Sequence, residues 1–365
     1  GDLAPLAHVG LVLMGEGGAF FGGRKMHGGE ALDVAKLTAI ELDAKEGLAI
    51  INGTHLMAAQ GALACHDAEE LMAQAVIAAA MSMDAARGTD AFLDPRVHEA
   101  RRQPGQMHIA GQLRQALAGS TILTSHVEND PRVQDPYSLR CTPQVLGAAW
   151  DALGYVKQCV TNELGAVTDN PLVFTTSTTP GQDFDVISAD NFHGMPLAIP
   201  LDSLAVAITH IAGFSERRFF WLLSAFDAES HLKPYLAVDP GVNSGLMIAQ
   251  YTAAACCNEA IGLCNAASVV NVVTSAGQED YNSFGPRSAA KARRVIDLTR
   301  HVVAIEFLCA AEGLEQHRPL KSGAAIEHAH ARIRTEVPRL TDDRSPAGDI
   351  AALERMLRRC ELRGE

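Results

Sequence analysis

Arg140 follows Tyr137 by three residues and Gln134 by six, and this trio concentrates much of the chemistry the sequence has to offer. A guanidinium holds a planar carboxylate through two parallel charge-assisted hydrogen bonds. A phenol can donate or accept a proton beside reacting atoms. Gln134, like Asn52 far upstream, offers both donor and acceptor, which suits a carbonyl or a carboxylate. The Glu279 carboxylate can pair with an ammonium or an imidazole, and Phe192 would supply an apolar wall against an aromatic group. Each also has a plainer reading. Arg140 alone reads as a surface or interface ion-pair residue, Asn52 before Gly53 as a turn, Glu279-Asp280 as helix N-terminal charge and Phe192 as core.

Other candidates carry less. Gly15-Glu16-Gly17-Gly18 and Gly22-Gly23 suggest a phosphate cradle, but no suitable strand leads in and no Lys-Ser/Thr follows, so a flexible loop is expected. His328 and His330, two apart, do not share a helix face, and no metal is implied. Eight scattered cysteines without C-x-x-C spacing read as reduced packing residues of a cytoplasmic protein. A net charge of −13 argues against nucleic acid or an anionic membrane as partner. The most apolar stretch, 56–83, contains His66, Asp67, Glu69 and Glu70, and is expected to be a buried helix of a soluble protein.

The elements that must position these residues are helical almost throughout. Hydrophobic content is 47% and aromatic content only 5%, with abundant alanine, which favours close-packed helices. Apolar spacing predicts helices over 31–48, 54–87, from near His108, 144–164, 201–224, 244–270, 287–313, 324–335 and 348–359. Short β-like runs at 172–174 and 186–187 bound a polar loop. Leu204, Ala207, Ile208 and Ile211 form an apolar stripe of bundle width. No internal repeat or linker is evident, so residues 1–365 are expected to form a single continuous helical unit.

Six segments in one order resemble the aromatic amino acid ammonia-lyase family. Gly1-Asp2-Leu3-Ala4-Pro5-Leu6 resembles the end of the family's Ala-Ser-Gly-Asp-Leu-Ala-Pro-Leu motif, with only the Gly of the tripeptide present. Asn52 lies in Lys45-Glu46-Gly47-Leu48-Ala49-Ile50-Ile51-Asn52-Gly53-Thr54. Gln134-Asp135-Pro136-Tyr137-Ser138-Leu139-Arg140 follows, then Thr168-Asp169-Asn170-Pro171 with Asn191-Phe192-His193-Gly194. Asn243-Ser244-Gly245-Leu246-Met247 and Gln278-Glu279-Asp280 complete the set.

The resemblance implies a mainly α fold, a long central helical bundle of the ammonia-lyase/fumarase-like type with a loop-borne active site, of which this chain is the C-terminal, larger portion. It implies an ammonia-lyase acting on an aromatic L-amino acid, and Glu279 leans the choice toward histidine, giving trans-urocanate. Tyr281-Asn282 stands where the histidine-type motif usually continues with His. The implied cofactor is 4-methylidene-imidazole-5-one, formed autocatalytically from Ala-Ser-Gly, with Gly1 and Asp2 contributing here. Tyr137, Glu279 and Asn52 take the catalytic roles; Arg140, Gln134 and Phe192 bind substrate. The family also implies a homotetramer with shared active sites, and a separate N-terminal segment would complete the tripeptide. The alternatives are a phenylalanine or tyrosine ammonia-lyase, an aminomutase, or a non-catalytic fragment or assembly subunit.

Overall fold

The computed structural model describes residues 1–128, 130–269 and 271–363. In chain order the elements begin with α1 (Leu3–Leu13), a hairpin of β1 (Gly18–Phe21) and β2 (Arg24–His27), α2 (Gly28–Ala35), α3 (Glu46–Ile51) and α4 (His55–Ala85). Next come α5 (Pro95–Arg101), α6 (Pro104–Leu117), α7 (Thr121–Thr124), α8 (Tyr137–Arg140) and α9 (Thr142–Glu163). A second antiparallel hairpin follows, of β3 (Leu172–Phe174) and β4 (Asp185–Ile187). The remainder is α10 (Met195–Ser224), α11 (Met247–Leu263), α12 (Gly285–Glu315), α13 (Ala324–Arg334) and α14 (Ala347–Arg358). The mainly α class expected from composition is what the chain adopts.

The chain divides into two compact units: residues 1–63, 157–202 and 266–290 form the first, and 64–156, 203–265 and 291 onward the second.

In the second unit α4 and α12 are buried on every face over part of their length, residues 74–85 and 302–314. Met72, Ala75, Ala79 and Met83 of α4 are fully buried or nearly so, as are Val303, Phe307 and Leu314 of α12. The stripe anticipated on α10, Leu204, Ala207, Ile208 and Ile211, is buried throughout. Inside this apolar packing lies one charged cluster. The Arg218 guanidinium donates to both carboxylate oxygens of Glu306 (2.5 and 2.8 Å), and the Ser82 and Ser215 hydroxyls donate to the same carboxylate. Burying such a pair is tolerable only because nearly every lone pair is met.

The first unit departs from two expectations. Residues 15–23 are no flexible loop: β1 and β2 pair from Gly18↔His27 to Phe21↔Arg24. The two-residue turn needs positive φ at both central positions, and Gly22 (φ 55) and Gly23 (φ 79) provide it. The helix expected over 31–48 is broken. α2 stops at Lys36, which turns left-handed (φ 58), and the Ile40 N–H then donates to Leu13 O at the end of α1 (3.0 Å). This tertiary pairing overrides a helical apolar period until Glu46 opens α3.

Two boundaries in the second unit also shift. The helix expected from near His108 begins at Pro104, whose missing N–H costs nothing in a first turn. The helix expected over 244–270 is confined to α11, because the Asp343 carboxylate takes the N–H groups of Ser244 (2.7 Å) and Gly245 (2.9 Å) in a turn ahead of it. Residue 270, at the other end of that expectation, lies outside the described residues. Glu46–Ala85 and Met195–Ser224 are long and apolar enough to cross a bilayer by length and composition alone, as core helices often are.

Candidate active site

The first unit builds its site around Gly1. The Asp2 N–H donates to Gly53 O at 2.6 Å, and Asp2 Oδ2 accepts the Met57 N–H at 3.0 Å, satisfying a first-turn donor of α4. Asp2 is buried, which raises its carboxyl pKa, while the Met57 and Leu56 N–H groups oppose that rise. Its Oδ1 is buried without a hydrogen-bond partner among the described residues.

Asn52 is held from behind. Its Nδ2 donates to Asp169 Oδ1 (3.2 Å) and to Asn170 O (3.4 Å), and Lys45 forms an ion pair with the same Asp169. Burial pulls the Asp169 carboxyl up, but Lys45, the Asn170 N–H and Asn52 together hold it below its ordinary value. With its NH₂ committed, Asn52 presents Oδ1 to Gly1. A Cβ placed on Gly1 would lie 2.9 Å from Gly53 N and 3.2 Å from Asn52 Oδ1. Gly53 in turn has no room for a side chain, since a Cβ there would meet the His55 ring at 2.4 Å and Thr168 O at 2.8 Å. Gly1 therefore sits in a close cradle of one backbone amide and one side-chain carbonyl.

Phe192 and Glu279 reach the same unit through neighbouring loops. A Cβ on Gly194 would come 2.5 Å from the Met57 sulfur, so the loop carrying Phe192 packs directly on α4 next to the Asp2 contact. His193 Nε2 donates to Tyr281 O (2.9 Å), joining that loop to the one carrying Glu279. Phe192 is half-buried. Glu279 is exposed and accepts the Thr274 hydroxyl at 2.9 Å. Its carboxyl pKa is lowered by hydrogen bonds from Ser275 and Thr274. Glu279 is not helix N-terminal charge, because α12 begins only at Gly285.

The second unit gathers Gln134, Tyr137 and Arg140 on one cavity of about 430 Å³, with Trp221 and Phe226 as its aromatic wall. Arg140 Nε donates to Asp135 O (2.9 Å), and its guanidinium lies 4.5 Å from the Tyr137 ring centroid. The two Nη groups make no hydrogen bond to any described residue, leaving a planar pair of donors. Asp135 is itself fixed: its Oδ2 accepts the Thr89 N–H (2.7 Å) and hydroxyl (2.9 Å).

All eight residues singled out from the sequence thus fall into two groups: Gly1, Asp2, Asn52, Phe192 and Glu279 in one unit, and Gln134, Tyr137 and Arg140 in the other. Sequence reasoning passed over Asp169 and Lys45, which orient Asn52, and Trp221, which lines the cavity. Lys45 and Asp169 stand within motif segments and could have been found there. Trp221 lies mid-helix in an apolar run and gives no such signal.

A profile of the aromatic amino acid lyase family matches residues 1–335. A histidine ammonia-lyase of Anaeromyxobacter dehalogenans is 46% identical over 98% of this chain and 70% of its own length. The crystal structure of histidine ammonia-lyase from Trypanosoma cruzi superposes with a TM-score of 0.91 at 37% identity, covering 99% of this chain and 67% of that one. A tyrosine aminomutase from Streptomyces globisporus superposes with a TM-score of 0.90 at 32% identity, covering 99% and 71%.

Proposed function

The chain belongs to the aromatic amino acid lyase family, and on that premise we propose that it eliminates ammonia from L-histidine to give trans-urocanate. The reaction class is that of a carbon–nitrogen lyase. The observation that carries the reading is the close Gly1 cradle formed by the Gly53 amide and the Asn52 side chain.

An α-amino group leaves poorly and a β-proton is barely acidic, so elimination needs an electrophile for one and a base for the other. A methylidene-imidazolone built from Ala-Ser-Gly, with Gly1 as its last member, would supply the electrophile. The Gly53 N–H could donate to its ring carbonyl and Asn52 would line the same cradle, and the tight fit around a Cβ-less Gly1 supports this. Arg140 would grip the substrate carboxylate with its two free Nη groups. Gln134 would hydrogen-bond beside it, and Tyr137 would hold or pass a proton. Glu279, kept ionised by its hydroxyl donors, would pair with the imidazole or the departing amine. Phe192 would wall the ring. We extend the proposal to a cytoplasmic homotetramer with active sites shared between subunits, and to residues 1–365 acting as one helical unit.

A second reading has its own support: Tyr281 follows Glu279-Asp280, and the fold superposes on a tyrosine aminomutase nearly as closely as on a histidine ammonia-lyase, at lower sequence identity. Phenylalanine or tyrosine would then be the substrate, with ammonia lost or returned to the β-carbon.

Two measurements on the natural protein test the proposal. Peptide mapping across Gly1 should show a loss of about 36 Da, two waters, against the encoded sequence. Incubation with histidine, phenylalanine and tyrosine in turn should give an ultraviolet-absorbing unsaturated acid from histidine foremost. An unmodified peptide, or preferred turnover of another ring, overturns the respective part.

A further inference from the structure

The segment bearing Gln134, Tyr137 and Arg140 enters its cavity as a loop and a single helical turn, α8, with little regular structure to hold it. Two side chains tie it down, Asp135 on Thr89 and, where the segment begins, Arg132. The Arg132 guanidinium, 13% exposed, donates through Nη1 to Asp227 Oδ2 (2.9 Å) and through Nη2 to Asp130 Oδ2 (2.7 Å). Nε closes a fork on Asp130 (3.0 Å to Oδ1), and the Arg132 N–H donates to the same oxygen (2.9 Å). The remaining capacity goes to the carbonyls of Ala86 and Arg87, which follow the last residue of α4.

These partners come from three places. Asp130 is two residues away and shapes the turn that starts the segment; its carboxyl is held down to about 2 by Arg132. Ala86 and Arg87 expose the carbonyl end of a 31-residue helix, where a cation is favoured. Asp227 lies just beyond α10, and its other oxygen caps the turn at Ala228 by accepting the Glu229 N–H (3.1 Å). Arg132 thereby fastens the segment to the ends of two long helices. From it the order passes along the chain: Asp135 docks on Thr89, and the Asp135 carbonyl holds Arg140 Nε.

We infer that Arg132, clamped by Asp227 and Asp130 onto the C-terminal ends of α4 and α10, is a positioning residue that presents Arg140 and Tyr137 to the substrate. The inference rests on the reading of those two residues as substrate-binding groups. A lysine cannot replace Arg132, because one ammonium cannot span two carboxylates and two carbonyls in a planar fork.

The test uses the full-length protein with Arg132→Lys and Asp227→Asn, and Arg96→Lys as a control at an exposed local pair. Amide hydrogen exchange over residues 130–140 should quicken several-fold in both variants and stay unchanged in the control. In Arg132→Lys, KM for histidine and the inhibition constant of a carboxylate-bearing product analogue should rise about tenfold, the penalty of misplaced alignment. Inhibition by the decarboxylated amine should be unmoved. Unaltered exchange in the segment overturns the inference, and it does so even if no amino acid is turned over. Equal weakening of both inhibitors together with a lowered Tm also overturns it, since that reports general loosening. Quickened exchange in the two variants, with a wild-type protein that turns over no amino acid, leaves the tether standing and removes the proposed function.

Discussion

Asn52 and Asp169 form a pair that decides which atom Gly1 meets. Because Asn52 Nδ2 donates to Asp169 Oδ1 at 3.2 Å, the side-chain oxygen is the atom turned toward Gly1. An asparagine beside Gly53 in an ordinary turn would have no such preference. The buried side chain, the Lys45 ion pair and the second donation to Asn170 O all act in one direction.

Asn52→Ala should therefore lower kcat by about 100-fold or more, the usual loss when a preorganised polar contact at a reacting centre is removed. Asp169→Asn, which lets the Asn52 amide rotate, should cost less, about tenfold. Steady-state rates of product absorbance check the order; a larger loss in Asp169→Asn than in Asn52→Ala contradicts it.

Arg140→Lys keeps the charge and loses the fork. With neither Nη group hydrogen-bonded to a described residue, the loss should fall on substrate binding, as a rise in KM of about tenfold or more with a smaller change in kcat. Full kinetic curves at saturating substrate separate the two parameters.

In the proposed reaction Glu279 bears on the choice of ring. Its lowered carboxyl pKa keeps it charged well below neutrality, so it can pair with a cationic imidazole or amine. Glu279→Gln should reduce kcat/KM for histidine about 100-fold while affecting phenylalanine less, shifting the ratio of the two. Loss on both substrates in equal measure would assign Glu279 to the amine instead of the ring.

Much of this was legible in the sequence. The long helices appeared at nearly their true positions because Ala-rich apolar stripes repeat at the helical period, and Leu172–Phe174 showed as a strand. The motif residues read from the sequence as one site, and they fall into two clusters, one in each unit. What escaped was set by contacts distant in sequence. Ile40 pairing with Leu13 breaks a helix that local spacing supports, and Asp343 delays α11 from nearly a hundred residues away. Arg132 and Asp227 are 95 residues apart, and neither composition nor period brings them together.

The buried Arg218–Glu306 pair should be costly to break from one side. Glu306→Ala leaves a guanidinium inside the core with Ser82 and Ser215 also bereft, a loss of about 3–5 kcal/mol. Denaturant unfolding measures it. Replacing both charges by apolar residues of similar volume should recover most of the loss, because the desolvation penalty disappears with them.

Asp84 makes stability fall as pH rises. It is fully buried, and burial pushes its carboxyl up to about 7 despite the hydrogen bond from Ser120 (3.0 Å), with Glu327 and Asp90 adding to the rise. In the unfolded chain the same group titrates near its ordinary value of about 3.9. Between those two values the folded state holds a proton that the unfolded state has released, so folding loses free energy with each step upward in pH. The contribution is whole below about pH 4, declines through the interval and is gone above about 7, on the order of 4 kcal/mol across the window at about 1.4 kcal/mol per unit. Asp84→Asn keeps an uncharged group that can accept from Ser120 and removes the titration. The difference in unfolding free energy between variant and wild type should thus grow in the variant's favour from pH 4 to pH 7. A difference that stays flat over that range would show that the Asp84 carboxylate is ionised in the fold and otherwise compensated.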